Sequence, residues 1–339
     1  MFSAEYMTAI PPPTKADVFI TRRCNLSCRY CKIVRNQVEL TPEEWSLVPR
    51  VLKEIGVKFI AAWGAEPLVA IDSLEAFIRG VRKCNLPMTI DTNAVLLPKY
   101  IDRLVEAGLD SITFGYDIVS DDWSIMKKKS SADDILEQCK EKFRDIEFVV
   151  TLTPKNITLL PEFIRKCTEE NMWVMFDFYH PDRGQEGTRC TTVPEYMFKK
   201  EDIETVRNVM KEVLQLKRSG CLLHPTEEII EFIINEPYVP LTYSWKCKGM
   251  GVVTVDSNGY IFGCHDFQPR SFRMRYHIFD YGTSWEWKDF VKNWRNELVK
   301  CPGCFWIARI MDEGWVGKKG WEQYICHRDT KCKAKIELM

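Results

Sequence analysis

Three cysteines, Cys24, Cys28 and Cys31, stand within eight residues in a C-x3-C-x2-C spacing, just after a run of strand-forming residues. Three thiolates this close can hold three irons of a cubane cluster and leave the fourth iron without a protein ligand. An open metal position is where chemistry takes place. A structural zinc site normally closes its shell with four ligands, and neither a fourth cysteine nor any histidine lies near this triplet. The odd number of thiols points to an iron-sulfur centre with one free position.

Four more cysteines, Cys247, Cys264, Cys301 and Cys304, form a second metal-like set. Val252 to Asp256 and Tyr260 to Phe262 read as a hairpin turned by Ser257-Asn258-Gly259, with a cysteine at each base and a tight C-x2-C pair further on. Spacing alone leaves structural zinc, as in a zinc ribbon, beside a cluster. Four thiols without metal are the poorer reading, because a site of four cysteines gains its stability from the metal it folds around. His265 and Asp266 follow Cys264, while Asp177, Tyr179 and His180 close a probable sixth strand. These are the candidates for substrate binding or proton transfer, since His and Asp suit acid-base roles near neutral pH. A histidine beside a cluster ligand also suits hydrogen bonding to a sulfur. Cys84, Cys139 and Cys167 fall on helical faces and read as ordinary thiols, and Cys326 and Cys332 with His327 are assigned no special role.

The elements that must position these residues alternate. Probable strands are Val18 to Thr21, Lys58 to Trp63, Met88 to Thr92, Ser111 to Tyr116, Glu147 to Leu152 and Trp173 to Phe178. Helical patterns lie between them, for example Trp45, Val48, Val51, Leu52 and Ile55 behind a Thr41-Pro42-Glu43-Glu44 capping box. Six strand-helix units in a row imply a parallel α/β sheet, open or curled into a barrel; periodicity alone does not choose. Helices over Glu201 to Arg218 and Thr226 to Asn235 read as a bridge, and the Trp-rich stretch from Trp285 to Trp321 as a substrate lid or, the favoured reading, the core of a small domain.

The triplet, with aromatic Tyr30 before its last cysteine, resembles the signature of the radical S-adenosylmethionine (SAM) superfamily. The resemblance implies a partial (β/α)6 TIM barrel, a SAM-binding [4Fe–4S] cluster on Cys24, Cys28 and Cys31, and SAM chelated at the unique iron. Gly64-Ala65-Glu66-Pro67 after the second strand resembles the family's G-G-E-P motif, which holds the SAM amino group. Thr92-Asn93 resembles its T-N-G element, with Ala94 in the third place. Gly115-Tyr116-Asp117 resembles an S-x-D element that contacts the ribose, with Gly115 in the serine position and Asp117 as the remaining contact. Thr151, Thr153 and Asn156 lie where polar residues line SAM in the family. Alanines where the family has glycine imply strain wherever φ is positive, by roughly 1–2 kcal/mol. The second set resembles the C-terminal twitch or SPASM module, which implies one auxiliary [4Fe–4S] cluster on Cys247, Cys264, Cys301 and Cys304. The expected division is a core over 1–195, a helical bridge over 196–244 and the auxiliary domain, a cysteine-rich hairpin and helices, over 245–339.

The expected activity is reductive cleavage of SAM to a 5′-deoxyadenosyl radical and oxidative modification of a small metabolite, by dehydrogenation or bond formation. Modification of a ribosomally made peptide or protein side chain is the alternative, and a non-catalytic iron-sulfur or zinc carrier or scaffold the second. An external one-electron reductant such as flavodoxin or ferredoxin is the expected partner. The 339 residues are 45% hydrophobic, and Lys+Arg against Asp+Glu stand at 47 to 48 without a basic stripe, so nothing supports a nucleic-acid partner. No apolar run approaches the roughly 18 residues of a membrane span and no secretion signal is visible, so the expected location is the cytoplasm. Fourteen cysteines in that compartment fit metal binding better than disulfides.

Overall fold

The computed structural model describes residues 12–35, 38–116, 129–181, 192–247, 251–272 and 274–312. Six strands alternate with helices: β1 (Lys15–Val18), α1 (Pro42–Ile55), β2 (Phe59–Ala62), α2 (Ile71–Lys83), β3 (Met88–Thr92), α3 (Leu97–Ala107), β4 (Ser111–Tyr116), α4 (Lys129–Lys142), β5 (Asp145–Leu152), α5 (Leu160–Glu169) and β6 (Trp173–Phe178). Then follow α6 (Ile203–Arg218), α7 (Glu227–Asn235), α8 (Tyr238–Thr242), a hairpin of β7 (Val252–Val255) and β8 (Ile261–Phe262), α9 (Trp287–Leu298) and α10 (Ile307–Asp312). The strands form one sheet in the order β6-β5-β4-β3-β2-β1-β7-β8, parallel throughout except for β8. This is the α/β, partial TIM-barrel architecture that the alternation and the resemblance imply. Because β1 to β6 are parallel, the loops at their carboxyl ends gather at one end of the sheet.

The local rules are visible in α1. The Thr41 hydroxyl accepts the Glu44 N–H at 3.2 Å and the Glu44 carboxylate accepts the Thr41 N–H at 2.8 Å. Gly56, at φ 113°, closes the other end. Trp45, Val48, Leu52 and Ile55 form the buried stripe their spacing predicts. Cys139 and Cys167 are core thiols, pushed up to about 12 by burial.

Three differences from the sequence expectations bear on the site. β1 begins at Lys15, three residues before the expected Val18, because Lys15 and Asp17 are buried polar residues turned into the barrel lumen and interrupt the apolar run. With Thr113, Glu147 and Arg309 they line a cavity of about 180 Å³ inside the barrel. Second, β7 does not stand apart with the C-terminal segment but pairs in register with β1, Lys15 opposite Val252 and Val18 opposite Val255. The backbone edge that β1 would otherwise leave open is thereby covered. Third, α6 packs on α5, taking the place of the helix that follows β6. Of the tail tryptophans, Trp285, Trp287 and Trp294 are buried core, Trp294 stacking on Phe290, whereas Trp306 is half-buried and Trp315 and Trp321 lie outside the described residues. Cys326 and Cys332 lie outside the described residues. Among those described, no helix is long and apolar enough to cross a membrane.

Candidate functional site

The cysteine loop leaves β1 between two anchors. Arg22 is buried, its Nε 2.6 Å from Asp256 Oδ1 beside the hairpin turn and its Nη2 3.0 Å from Gln268 Oε1. Arg23 forks onto the Glu39 carboxylate with two contacts of 2.8 Å. Cys24, Cys28 and Cys31 are half-buried and line a cavity of about 290 Å³ at the carboxyl ends of the strands. The Leu26 N–H points at Cys24 Sγ from 3.4 Å and the Asn93 amide nitrogen stands 3.8 Å from it. Three accessible sulfurs, with donors aimed at one of them and open space beyond, suit a cluster that keeps one iron free. Tyr30 lines the same cavity and meets Tyr196 edge-on.

Of the strand-end residues, Gly64, Ala65, Thr92, Asn93, Gly115 and Thr151 line this cavity. A Cβ on Gly64, at φ 84°, would stand 2.1 Å from the Phe19 ring, so the close approach requires glycine. Ala65 and Ala94 both take positive φ, 45° and 63°. Glu66 is not among the residues that line the cavity. It is wholly buried, and its carboxylate accepts the Leu68 N–H at 3.1 Å, the Thr92 hydroxyl at 2.8 Å and the Asn93 N–H at 2.8 Å. With three protein donors on it, this carboxylate braces the end of β2 against the end of β3, and Gly64 and Ala65 face the cavity instead. Pro67, also buried, opens the short 3-10 turn Pro67–Ala70 behind it. Thr153 and Asn156 bond each other at the end of β5 and lie beneath the cavity, both fully buried. Asp117 lies outside the described residues.

The far wall of the cavity holds the remaining candidates. Asp177 Oδ1 accepts the Ile307 N–H at 2.6 Å and so caps α10, and the Tyr179 hydroxyl accepts the Val193 N–H at 2.8 Å; both contacts hold backbone in place. His180 lies flat on Trp306, centroids 4.3 Å apart, and bonds the Phe305 carbonyl at 2.8 Å. A carbonyl can only accept, so His180 Nε2 carries the proton. Burial, helped by the Lys32 ammonium, lowers its pKa to about 3 and leaves the ring neutral. His265 stands edge-on to Trp63, with Nδ1 3.6 Å from Asp17 Oδ2. Both its ring nitrogens are buried without a hydrogen-bond partner. The Asp266 carboxylate receives Lys32 Nζ at 2.8 Å and Trp306 Nε1 at 3.0 Å. Burial alone would raise its pKa, but the charge and hydrogen bond of Lys32 together with the facing His265 and His180 hold the carboxyl well below the usual range.

Behind this wall Cys247, Cys264, Cys301 and Cys304 line one small cavity of about 20 Å³. Trp245 and Cys304 bridge the two segments that carry them, and the Asp266 and Phe267 N–H groups point at Cys264 Sγ from 3.4 and 3.5 Å. Burial raises the Cys301 and Cys304 thiols, Cys304 the more strongly, with Cys264 adding to both. Among the described residues, no three His, Cys, Asp or Glu side chains close around a single metal ion.

The sequence reading missed Lys32, Trp63 and Trp306, all of which line the main cavity. Their places beside Cys31, after β2 and two residues past Cys304 were the available signals. Nothing local marks Arg22, whose partner Asp256 comes from the other end of the chain.

Comparison with known proteins agrees with this geometry. The family model of the radical SAM superfamily matches residues 18–172, from β1 to just before β6. A probable GTP 3′,8-cyclase of Sulfurisphaera tokodaii is 31% identical over 258 residues, 73% of this chain and 79% of that protein. One of Methanothermobacter marburgensis is 28% identical over 208 residues, 54% of this chain and 65% of that protein. The chain spans less than two thirds of the length of several such relatives. Streptococcus suis SuiB bound to S-adenosylmethionine has a similar fold, with a TM-score of 0.64 at 16% identity over 94% of this chain and 75% of that one. So does anSMEcpe with bound AdoMet and a peptide, with a TM-score of 0.58 at 17% identity over 86% and 83%. The triplet on its loop, the motif residues at successive strand ends and a relative matched over most of its length agree: this chain belongs to the radical SAM superfamily.

Proposed function

We propose that this chain binds SAM and a small metabolite in the cavity between its two cysteine sets and oxidises the metabolite. Membership of the superfamily makes it an enzyme that works with SAM and a [4Fe–4S] cluster. When bound, these supply a 5′-deoxyadenosyl radical that takes a hydrogen atom from the substrate. Cys24, Cys28 and Cys31 hold that cluster. Gly64 and Ala65 give the SAM amino group a close backbone approach, with Asn93 and Thr151 beside it. Trp63 and Trp306 narrow the cavity and exclude water from a reactive radical.

The observation that carries the reading is one cavity with the triplet on one wall and Asp266, next but one to Cys264, on the other. A substrate held there lies between the two sets. His265 also lines this cavity, its Nδ1 3.6 Å from Asp17 Oδ2 and its Nε2 buried without a hydrogen-bond partner, and a buried polar group of that kind calls for one. The second set is proposed to hold an auxiliary [4Fe–4S] cluster, which would supply a one-electron acceptor. Four thiols lining one cavity match a cluster with one thiolate per iron. The oxidation then balances: the substrate gives up one hydrogen atom, one electron and one proton. An external one-electron reductant, flavodoxin or ferredoxin, would recharge the first cluster.

The small-metabolite reading is supported by the probable GTP 3′,8-cyclases among the relatives, whose names give GTP as the substrate. A peptide substrate is the second reading, supported by the fold shared with anSMEcpe, which is recorded with a bound peptide. Anaerobic reconstitution, reduction and an assay for 5′-deoxyadenosine test the first step. Absence of SAM cleavage by intact, reduced clusters overturns the enzymatic reading of this site.

A further inference from the structure

The wall between the two cysteine sets contains a buried connection that neither set needs for ligation. Lys32 follows Cys31, Asp266 lies two residues past Cys264, and Trp306 lies two residues past Cys304. Lys32 Nζ and Trp306 Nε1 meet on the same oxygen, Asp266 Oδ2, at 2.8 and 3.0 Å. The ion pair is buried, with side chains only 10% and 9% exposed. Lys32 Nζ also lies 5.7 Å from the centre of the Trp306 ring, so the cation is held by a carboxylate and an aromatic face together. Asp266 reaches back to the second set, its N–H pointing at Cys264 Sγ from 3.4 Å. An ammonium supplied by the first cysteine loop thus neutralises a carboxylate that belongs to the second.

We infer that Lys32 and Asp266 are positioning residues that couple the two metal sites, the Lys32 ammonium setting the potential of the auxiliary centre through the Asp266 carboxylate. This rests on the reading of Cys247, Cys264, Cys301 and Cys304 as cluster ligands. Charge near a cluster acts on its potential directly, because reduction adds an electron that a nearby anion opposes and a nearby cation favours. In a desolvated wall such charges are poorly screened. Neutralising the pair as a unit changes little; removing one member exposes the other.

The test is a redox titration of the fully loaded protein followed by electron paramagnetic resonance, at neutral pH, where the Asp266 carboxylate is charged. Asp266→Asn is expected to move the auxiliary potential upward and Lys32→Met downward. The double variant returns toward the wild-type value, because the two opposite shifts cancel when the pair is neutralised as a unit. Lys32→Arg keeps the charge and keeps the potential, which separates the charge effect from damage to the fold. An auxiliary signal whose potential is unchanged in either single variant, or a double variant displaced as far as either single one, overturns the coupling while leaving the cluster reading intact. Wild-type protein with no second signal and no iron beyond one cluster overturns both.

Discussion

Ala65 and Ala94 occupy equivalent places, one just past β2 and one just past β3, and both are held in the left-handed backbone region, at φ 45° and 63°. An L-residue there costs roughly 1–2 kcal/mol, which glycine would avoid. Glycine in turn costs about 0.4–1 kcal/mol through the freedom it gives the unfolded chain. Ala65 is partly exposed and loses little packing, so Ala65→Gly is expected to stabilise by about 0.5–1 kcal/mol. Ala94 is 1% exposed, and losing a buried methyl costs about 0.8 kcal/mol, which leaves Ala94→Gly near neutral. Unfolding midpoints of the two variants check this ordering, and a destabilised Ala65→Gly contradicts it.

Glu66 is expected to act as a brace. Exchanging its carboxylate for an amide puts an NH2 group against a donor in a site where Leu68, Thr92 and Asn93 all donate. Hydrogen bonds to charged groups are worth about 1.5–3 kcal/mol, so Glu66→Gln should lower stability by about 2 kcal/mol and weaken SAM binding through displacement of Asn93. Melting temperature and SAM affinity are read together. Loss of SAM affinity at unchanged stability would instead place the carboxylate on the SAM ammonium.

These two cases show where the sequence was legible. The strand-helix alternation and the cysteine spacings are local patterns, and they located the parallel strand-helix units, the triplet and the second set, while the choice of a barrel came from the resemblance. The glycine-to-alanine departures marked the positions where strain is found. The pairing of β7 with β1 and the Arg22–Asp256 ion pair join segments far apart in the chain, and no local pattern encodes them. Glu66 has the right type in the right place, but its burial and its donors from β3 depend on the fold. Asp177 reads as an acid and serves as a helix cap for the same reason.

His180 makes a prediction for pH. The unfolded chain takes up a proton on this histidine near its ordinary 6.5, whereas the folded protein resists until about 3. Between those values protons favour the unfolded state. The contribution is complete above about pH 6.5 and is lost as pH falls, by about 1.4 kcal/mol per pH unit. Asp266, with its depressed pKa, adds a similar loss only below its ordinary 3.8. In thermal melts of the loaded protein from neutral pH down to about pH 4, wild type should fall more steeply than His180→Phe, which keeps the ring against Trp306. Parallel slopes would mean that His180 is protonated in the folded protein.

The two cysteine sets should separate by what their loss abolishes. Cys28→Ala removes a ligand from the loop that opens on the strand ends, so reductive SAM cleavage should fall to background whether or not substrate is present. Cys301 lies behind the opposite wall, in the small cavity that Asp266 and Trp306 also line. Cys301→Ala should keep cleavage of SAM in the absence of substrate within about threefold of wild type, about 0.7 kcal/mol in barrier, while turnover of the real substrate falls by orders of magnitude. Paired assays of 5′-deoxyadenosine and product give the ratio directly. Equal loss of SAM cleavage in both variants, with folding intact, would mean that the second set supports the first site and does not accept the substrate's electron.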